Sequence, residues 1–328
     1  MPTSSKKEVS TLLVVIAFAT VYLVWGSTYF FIRKAVLHIP PMMLGAIRFL
    51  IAGSLLMGWS LIKGERMGTW QQIKPAIISG LLLLLVGNGA VIWAEKTLPS
   101  SLVAVLVSSS PLWFVLLDRP KWKENFSNRS VLTGLVIGFA GVILLFSENV
   151  TKAFASPDSS KAIVGLVVIV IGSMSWAGGS LYSKYNSNTT ATISSAWQML
   201  AAGLAFIPGI FLGHEWSGFQ WQAVTADSWF ALVYLIIMGS LVGYSAYVWL
   251  LQVRSATQVS TYAYVNPVVA VLLGVFFANE HMSPLQITGL VVILTSVLLI
   301  NLSKYRTAQK KPEVNCTVKG VVVEMGKR

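Results

Sequence analysis

The sequence predicts an all-α integral membrane protein: ten transmembrane helices arranged as two inverted five-helix repeats. Three observations predict it. The 328 residues are 55% hydrophobic and only 11% charged, with mean hydropathy +0.70, where a soluble domain carries about 25% charged residues. Apolar runs near 20 residues follow one another across short polar gaps, and a helix needs about that length to cross a hydrocarbon core roughly 30 Å thick. The second half of the chain repeats the first at a nearly constant shift. A soluble core of this size would need long polar surfaces, and the chain has none. Membrane β-strands would be half as long and would alternate in polarity.

The elements follow in order. Residues 1–10, "MPTSSKKEVS", are a basic amino terminus. The apolar run behind them exceeds the roughly 7–15 residues of a signal-peptide core, so it is expected to stay as the first span. Ten apolar segments are placed at 11–35, 41–62, 75–95, 99–117, 130–147, 162–183, 190–212, 229–251, 256–278 and 283–302. The first repeat is 11–147 and the second 162–303. A linker, 148–161, joins them, and a basic tail, 304–328, ends the chain.

Of the 24 Lys and Arg, 18 fall at the amino terminus, in the gaps after the even-numbered segments, and in the tail. Only 5 fall in the other gaps, and Arg48 lies within segment 2. Basic excess marks the cytoplasmic side, so both termini of a multi-pass cytoplasmic-membrane protein are expected to face inward. The sign survives removal of the tail. The net charge of +12 is therefore a topology signal, not a nucleic-acid groove. The single cysteine, Cys316, excludes an intrachain disulfide and a cysteine metal cluster.

The repeat is read from particular residues. At a shift of 156, Gly87, Ala90 and Trp93 match Gly243, Ala246 and Trp249, Val103 matches Val259, and Pro111 matches Pro267. "TGLVIGFAGVILL" from Thr133 resembles "TGLVVILTSVLLI" from Thr288, and "RFLIAG" faces "QMLAAG". Trp25 pairs with Trp176, and Arg33 with Lys184. Five spans per half is odd, so the second half enters from the opposite side, a recurrent plan of secondary transporters. Pro111 and Pro267 are expected to break segments 4 and 9. The carbonyls they free must be satisfied in lipid. Such paired interruptions point to a central site, or serve as structural kinks.

The motifs "VWGSTY", "PSSLVAVLVSSSPLW", "TYAYVNPVVAVLLG" and "NEHMSPLQITGLVVIL" resemble the EamA-domain branch of the drug/metabolite transporter superfamily. "GSMSWAGGSLYSKY" and "QMLAAG" narrow the likeness to its YedA-like group. The resemblance covers residues 11–303 and leaves out the tail. It implies a central cavity lined mainly by segments 1, 3, 4, 6, 8 and 9, with 5 and 10 peripheral. It also implies export of small metabolites such as amino acids.

Those segments supply the candidate substrate-binding residues Trp25, Tyr29, Asn88, Trp93, Trp176, Tyr244, Tyr262 and Asn266, with Arg48 added from segment 2. Ser27, Ser108, Ser109, Trp113, Tyr182, Tyr247 and Tyr264 belong to the wider set. Aromatic rings offer broad apolar faces with a polar handle and can hold a cation. Each has a structural alternative. Trp93 and Trp113 suit an interfacial belt, Asn266 can cap the carbonyl freed by Pro267, and Arg48 can snorkel to the interface or bind an anion. Gly26, Gly87, Gly89, Gly178 and Gly179 suit close helix packing. Glu95, Asp118, Glu148, Asp227 and Glu280 all lie near segment ends, so proton coupling either uses an edge carboxylate such as Glu95 or is not used. Three separated histidines, with no HExxH or GxSxG motif and no Gly-rich nucleotide loop, argue against an enzyme or a nucleotide-driven pump. No cofactor is expected. The reading is a secondary transporter, an exporter by resemblance, with a channel-like facilitator as the alternative. Its partners are a small-molecule substrate and the bilayer, not nucleic acid, and it is a monomer or homodimer.

Overall fold

The computed structural model describes residues 10–98, 100–154, 159–217, 219–278 and 283–309. Glu280, His281, Cys316, part of the linker and most of the tail lie outside them. All regular elements among the described residues are helical. Six helices are long and apolar enough to cross a membrane: Thr11–Val36, Pro41–Ile62, Trp70–Lys96, Ile163–Asn186, Ala191–Leu212 and Ala226–Val253. They correspond to segments 1, 2, 3, 6, 7 and 8. A seventh arises if Arg119–Ser127 and Arg129–Leu145, which meet at 92°, count as one span.

The other segments differ for identifiable reasons. Segment 4 is two short helices, Ser100–Val107 and Ser110–Leu117, and segment 9 is likewise split into Ala256–Val259 and Tyr262–Ala278. The apolar part of segment 10 is the shorter Pro284–Ile300.

Helix starts carry local signals. Thr69 and Gln72 form a capping box. Thr190, Thr225 and Ser255 each accept a hydrogen bond from the backbone three residues on, satisfying amides that have no partner inside the helix. Between segments 2 and 3, Gly64 and Gly68 have φ of 74° and 88°, a region that favours glycine.

The breaks in segments 4 and 9 share a local pattern, and neither falls at the proline itself. They fall at Ser108–Ser109 and at Ser260–Thr261. There the hydroxyls turn back onto their own backbone: Ser109 Oγ donates to Leu106 O (2.7 Å), Ser260 Oγ to Thr257 O (2.9 Å) and Thr261 Oγ1 to Gln258 O (2.7 Å). Such bonds compete with the helical ladder. Pro111 sits in the first turn of Ser110–Leu117, directly after the break, where its missing N–H is harmless. Pro267 corrects the expectation: the helix Tyr262–Ala278 runs through it, and the break in segment 9 lies before it. Proline removes the donor to the carbonyl four residues back. For Pro111 that carbonyl is Val107 O, which accepts from Ser110 Oγ at 2.6 Å. For Pro267 it is Ala263 O, which accepts from Ser108 Oγ, across from segment 4, at 2.8 Å. Asn266 is not the cap.

The packing is self-similar. Segment 2 lies on segment 7. A Cβ at Gly53 would stand 2.9 Å from Leu200 N, and one at Gly203 would stand 2.8 Å from Leu50 N. The two glycines, and the two leucines, are equivalent positions of "RFLIAG" and "QMLAAG". Segment 5 lies on segment 10 in the same manner: a Cβ at Gly134 would stand 2.6 Å from Ile300, and one at Gly289 would stand 2.6 Å from Leu145 N. Small residues let membrane helices approach closely. Segments 3 and 8 each widen into a π-helical stretch, Leu81–Asn88 and Leu235–Tyr244. At the shift of 156 their last residues, Asn88 and Tyr244, coincide. Stretches of π-helix are rare and often mark functional sites.

Candidate functional site: a cavity between the two repeats

Both repeats contribute to a cavity with about 690 Å³ of empty space, including the part open to solvent. Segment 1 supplies Trp25, Thr28, Tyr29 and Ile32. Segment 2 supplies Arg48 and Phe49, and segment 3 supplies Leu84, Gly87, Asn88 and Val91. Val107 and Ser110 come from segment 4, and Ile169, Gly172, Ser173 and Trp176 from segment 6. Gly239 and Tyr244 come from segment 8, and Tyr262 and Asn266 from segment 9.

Eight of the candidate residues therefore meet in one cavity: Trp25, Tyr29, Arg48, Asn88, Trp176, Tyr244, Tyr262 and Asn266. Trp93 does not join them. It packs against the apolar cluster of Tyr29, Ala90, Ala94 and Ile169, of which Tyr29 and Ile169 also line the cavity, but is not itself a lining residue. In the wider set, Ser108 and Ser109 serve the break in segment 4, and Tyr264 donates to Leu135 O at 2.9 Å, joining segment 9 to segment 5. Ser27 bonds Val24 O and the Tyr234 hydroxyl. Thr28, Phe49, Ser173 and Gly239 were not singled out from sequence. Small and apolar residues carry no signal that separates cavity wall from helix contact.

One wall of the cavity is an aromatic cluster. The Trp25 ring centroid lies 4.9 Å from that of Tyr247, 5.0 Å from Tyr262 and 5.5 Å from Trp176. Tyr244 and Tyr247 stand 6.2 Å apart beside them. Such pairs contribute about 0.5–1.5 kcal/mol beyond area burial. Hydrogen bonds fix the rings. Trp25 Nε1 donates to Gly239 O (3.2 Å) and Trp176 Nε1 to the Tyr247 hydroxyl (3.0 Å). Tyr244 donates to Gln198 Oε1 (2.9 Å), and Gln198 Nε2 donates to Ser79 and Ser183. The cluster thus ties segments 1, 6, 8 and 9 together and reaches 3 and 7 through Gln198.

Arg48 is inside the bundle, 4% exposed. Its Nε donates to Ser240 Oγ at 2.8 Å and its Nη1 to Asn88 Oδ1 at 3.5 Å. The guanidinium lies over the Phe49 ring, 4.9 Å from its centroid. Asn266 is also buried, and its Oδ1 accepts no hydrogen bond from the described residues.

Two cationic clasps occupy equivalent positions of the two repeats. Arg33 Nη1 donates to the backbone oxygens of Glu95 and Leu98, at the C-terminal end of segment 3. Lys184 Nζ donates to those of Leu251 (2.6 Å) and Arg254 (2.7 Å), at the end of segment 8. Adding 156 to Glu95 and Leu98 gives Leu251 and Arg254. A helix C-terminus leaves carbonyls without intrahelical donors and favours a cation, so one chemistry serves both halves. Lys34–Asp227 (2.9 Å) and Tyr185–Asp118 (2.5 Å) add further bridges.

The EamA-like transporter family matches the chain twice, over residues 12–147 and 163–302. The chain belongs to that family. It is a membrane transporter. It is 37% identical over 292 residues to the uncharacterized inner membrane transporter YedA of Escherichia coli K12, covering 88% of this chain and 90% of that one. It is 27% identical to the protein PecM of Dickeya dadantii, covering 90% and 96%. A solved crystal structure shares the fold with a TM-score of 0.71 at 18% identity, over 89% of this chain and 99% of the other.

Proposed function

We propose that the chain is a secondary transporter that exports small metabolites, such as amino acids or amphipathic compounds, by alternating access through the central cavity. Its ten segments form two inverted five-helix halves in the cytoplasmic membrane, with both termini in the cytoplasm. The observation that carries this is the pair of equivalent clasps. In an inverted arrangement, the Arg33 and Lys184 clasps lie at opposite faces of the membrane, with the aromatic and polar cavity between them. A carrier that exposes one site to each side in turn needs matched closures of this kind. The doubled family match, the twin π-helical stretches and the swapped Gly53 and Gly203 contacts support the internal symmetry.

The test is counterflow with purified protein in liposomes, screened over amino acids, amines and aromatic acids, with and without a pH gradient. A carrier gives saturable uptake that is accelerated by unlabelled solute on the far side. Flux that rises linearly with concentration and shows no counterflow would replace the carrier with a channel-like facilitator.

A further inference from the structure

We propose that Arg48 is the anion subsite of this cavity. The class of solute it selects is a small carboxylic acid with an apolar or aromatic body. The inference rests on the transport reading and names the chemistry of its substrate.

A buried cation is ordinarily paired with an anion or fully hydrogen-bonded. Arg48 is neither. The ion pairs among the described residues are Lys34–Asp227 and Lys121–Glu124, and Arg48 is in neither of them. A guanidinium has five N–H donors. Two are used here, both toward neutral oxygens, and the one to Asn88 is long at 3.5 Å. Ser240 pins Nε, which leaves the Nη1–Nη2 edge as the open fork. That edge matches the two oxygens of a carboxylate in a bidentate pair. Gly239 keeps the approach clear, since a Cβ there would stand 2.9 Å from Nη2.

The internal repeat supplies a control. Position 48 in "RFLIAG" corresponds to Gln198 in "QMLAAG", and Asn88 corresponds to Tyr244. Gln198 holds Tyr244 at 2.9 Å, as Arg48 holds Asn88. A neutral amide is thus sufficient to tie the end of the π-helical stretch. Gln198 spends both ends of its amide on protein groups and does not line the cavity. The positive charge at 48 is surplus to that structural task, and it faces the cavity. Also lining the cavity, Asn266 Oδ1 is a buried acceptor without a donor among the described residues, suited to an N–H or O–H on the same solute. Trp25, Trp176 and Tyr262 furnish the apolar surface for its body.

The probes are 3-phenylpropionate, its amide 3-phenylpropionamide, 3-phenyllactate, phenethylamine and inorganic phosphate. Binding is read by thermal shift and flux by counterflow on the full chain. Wild-type protein should be stabilised by both acids, more by phenyllactate, and not by the amide, the amine or phosphate. Arg48→Gln, which copies the equivalent position, should raise the apparent Kd for the acids at least tenfold. Asn266→Ala should remove only the advantage of phenyllactate. Equal response to 3-phenylpropionate and its amide would overturn the assignment on wild-type protein alone, whether or not Arg48→Gln folds. So would acid binding unchanged in a folded Arg48→Gln, or phosphate acting as well as the acids. Saturable counterflow of phenethylamine without the acids sinks this inference and leaves transport standing. Carboxylate-dependent binding with no counterflow of any solute sinks the transport reading and leaves the subsite.

Discussion

The bond from Ser108 to Ala263 predicts a specific energetic coupling between segments 4 and 9. Ser108 is fully buried, and its hydroxyl reaches both Ala104 O (2.7 Å) and Ala263 O (2.8 Å). Ala104 O already accepts the Ser108 backbone N–H at 3.0 Å, so the Ala263 bond is the one that matters. Ala263 O has lost its regular donor to Pro267. Ser108→Ala removes one oxygen atom from a site that barely changes volume, so packing contributes little. Leaving a buried carbonyl under-satisfied costs about 1–3 kcal/mol, while measured side-chain hydrogen bonds in a membrane protein average about 0.6 and reach about 1.7 kcal/mol. We expect a loss of about 1–1.5 kcal/mol. Pro267→Ala restores an N–H to the helix, which then supplies Ala263 O without Ser108. The same serine deletion should therefore cost about 0.5 kcal/mol or less in the Pro267→Ala background. A double-mutant cycle, followed by reversible unfolding in mixed micelles, measures the difference. Equal cost of Ser108→Ala in both backgrounds would refute the reasoning, because the serine would then not be serving the carbonyl that the proline frees.

Further outcomes follow from the same structure. Gly203→Ala places a Cβ 2.8 Å from Leu50 N. Backbone cannot yield as a flexible side chain can, so the cost should be about 1–3 kcal/mol. Gly58→Ala, in segment 2 with open space around it, should not destabilise in the same unfolding assay. Gly239→Ala crowds Arg48 Nη2 and Thr28. It should weaken uptake of 3-phenylpropionate several-fold with helicity and melting nearly unchanged, and normal uptake would argue against an open guanidinium fork. Arg33→Gln and Lys184→Gln each remove a clasp. Cysteines placed near the two cavity ends should then change their labelling by an impermeant thiol reagent in opposite directions, and a shift in the same direction for both would contradict inverted halves.

Much of this is legible in the sequence, because membrane constraints act on composition and length directly. The apolar segments, the repeat and eight of the residues that share the cavity all carry chemistry visible in one dimension. The remainder turns on three-dimensional neighbours. Ser108 was legible as a polar residue in a cavity segment, but its partner is a carbonyl 155 positions away. Pro267 looked like the break because proline removes a donor, yet a serine from another segment supplies the donor and the helix continues. Ser260 and Thr261, where the helix is interrupted, are ordinary residues in a list of letters. Trp93 lies near a segment end, where periodicity does not separate cavity from apolar cluster, and it packs behind cavity residues without lining the cavity itself. The π-helical stretches leave no trace in hydrophobic patterning, since their few polar residues, Asn88 and Ser240 among them, do not distinguish a π-helix from an α-helix.

The two halves repeat particular packing contacts but not their chemistry, and we propose that function resides in that difference. Gly53 and Gly203, or the carbonyl pairs under Arg33 and Lys184, are matched because they hold the same packing twice. Where the repeats diverge, the first half carries Arg48 and Asn88 and the second carries Gln198 and Tyr244. The second pair closes on itself and on Ser79 and Ser183, making a satisfied strut. The first pair is left with an open guanidinium edge at the cavity. An architecture made of two copies can devote one copy of a position to structure and release the other for recognition. A buried charge that no anion among the described residues neutralises is costly to keep, and in this molecule the space beside that charge is the one the solute would fill.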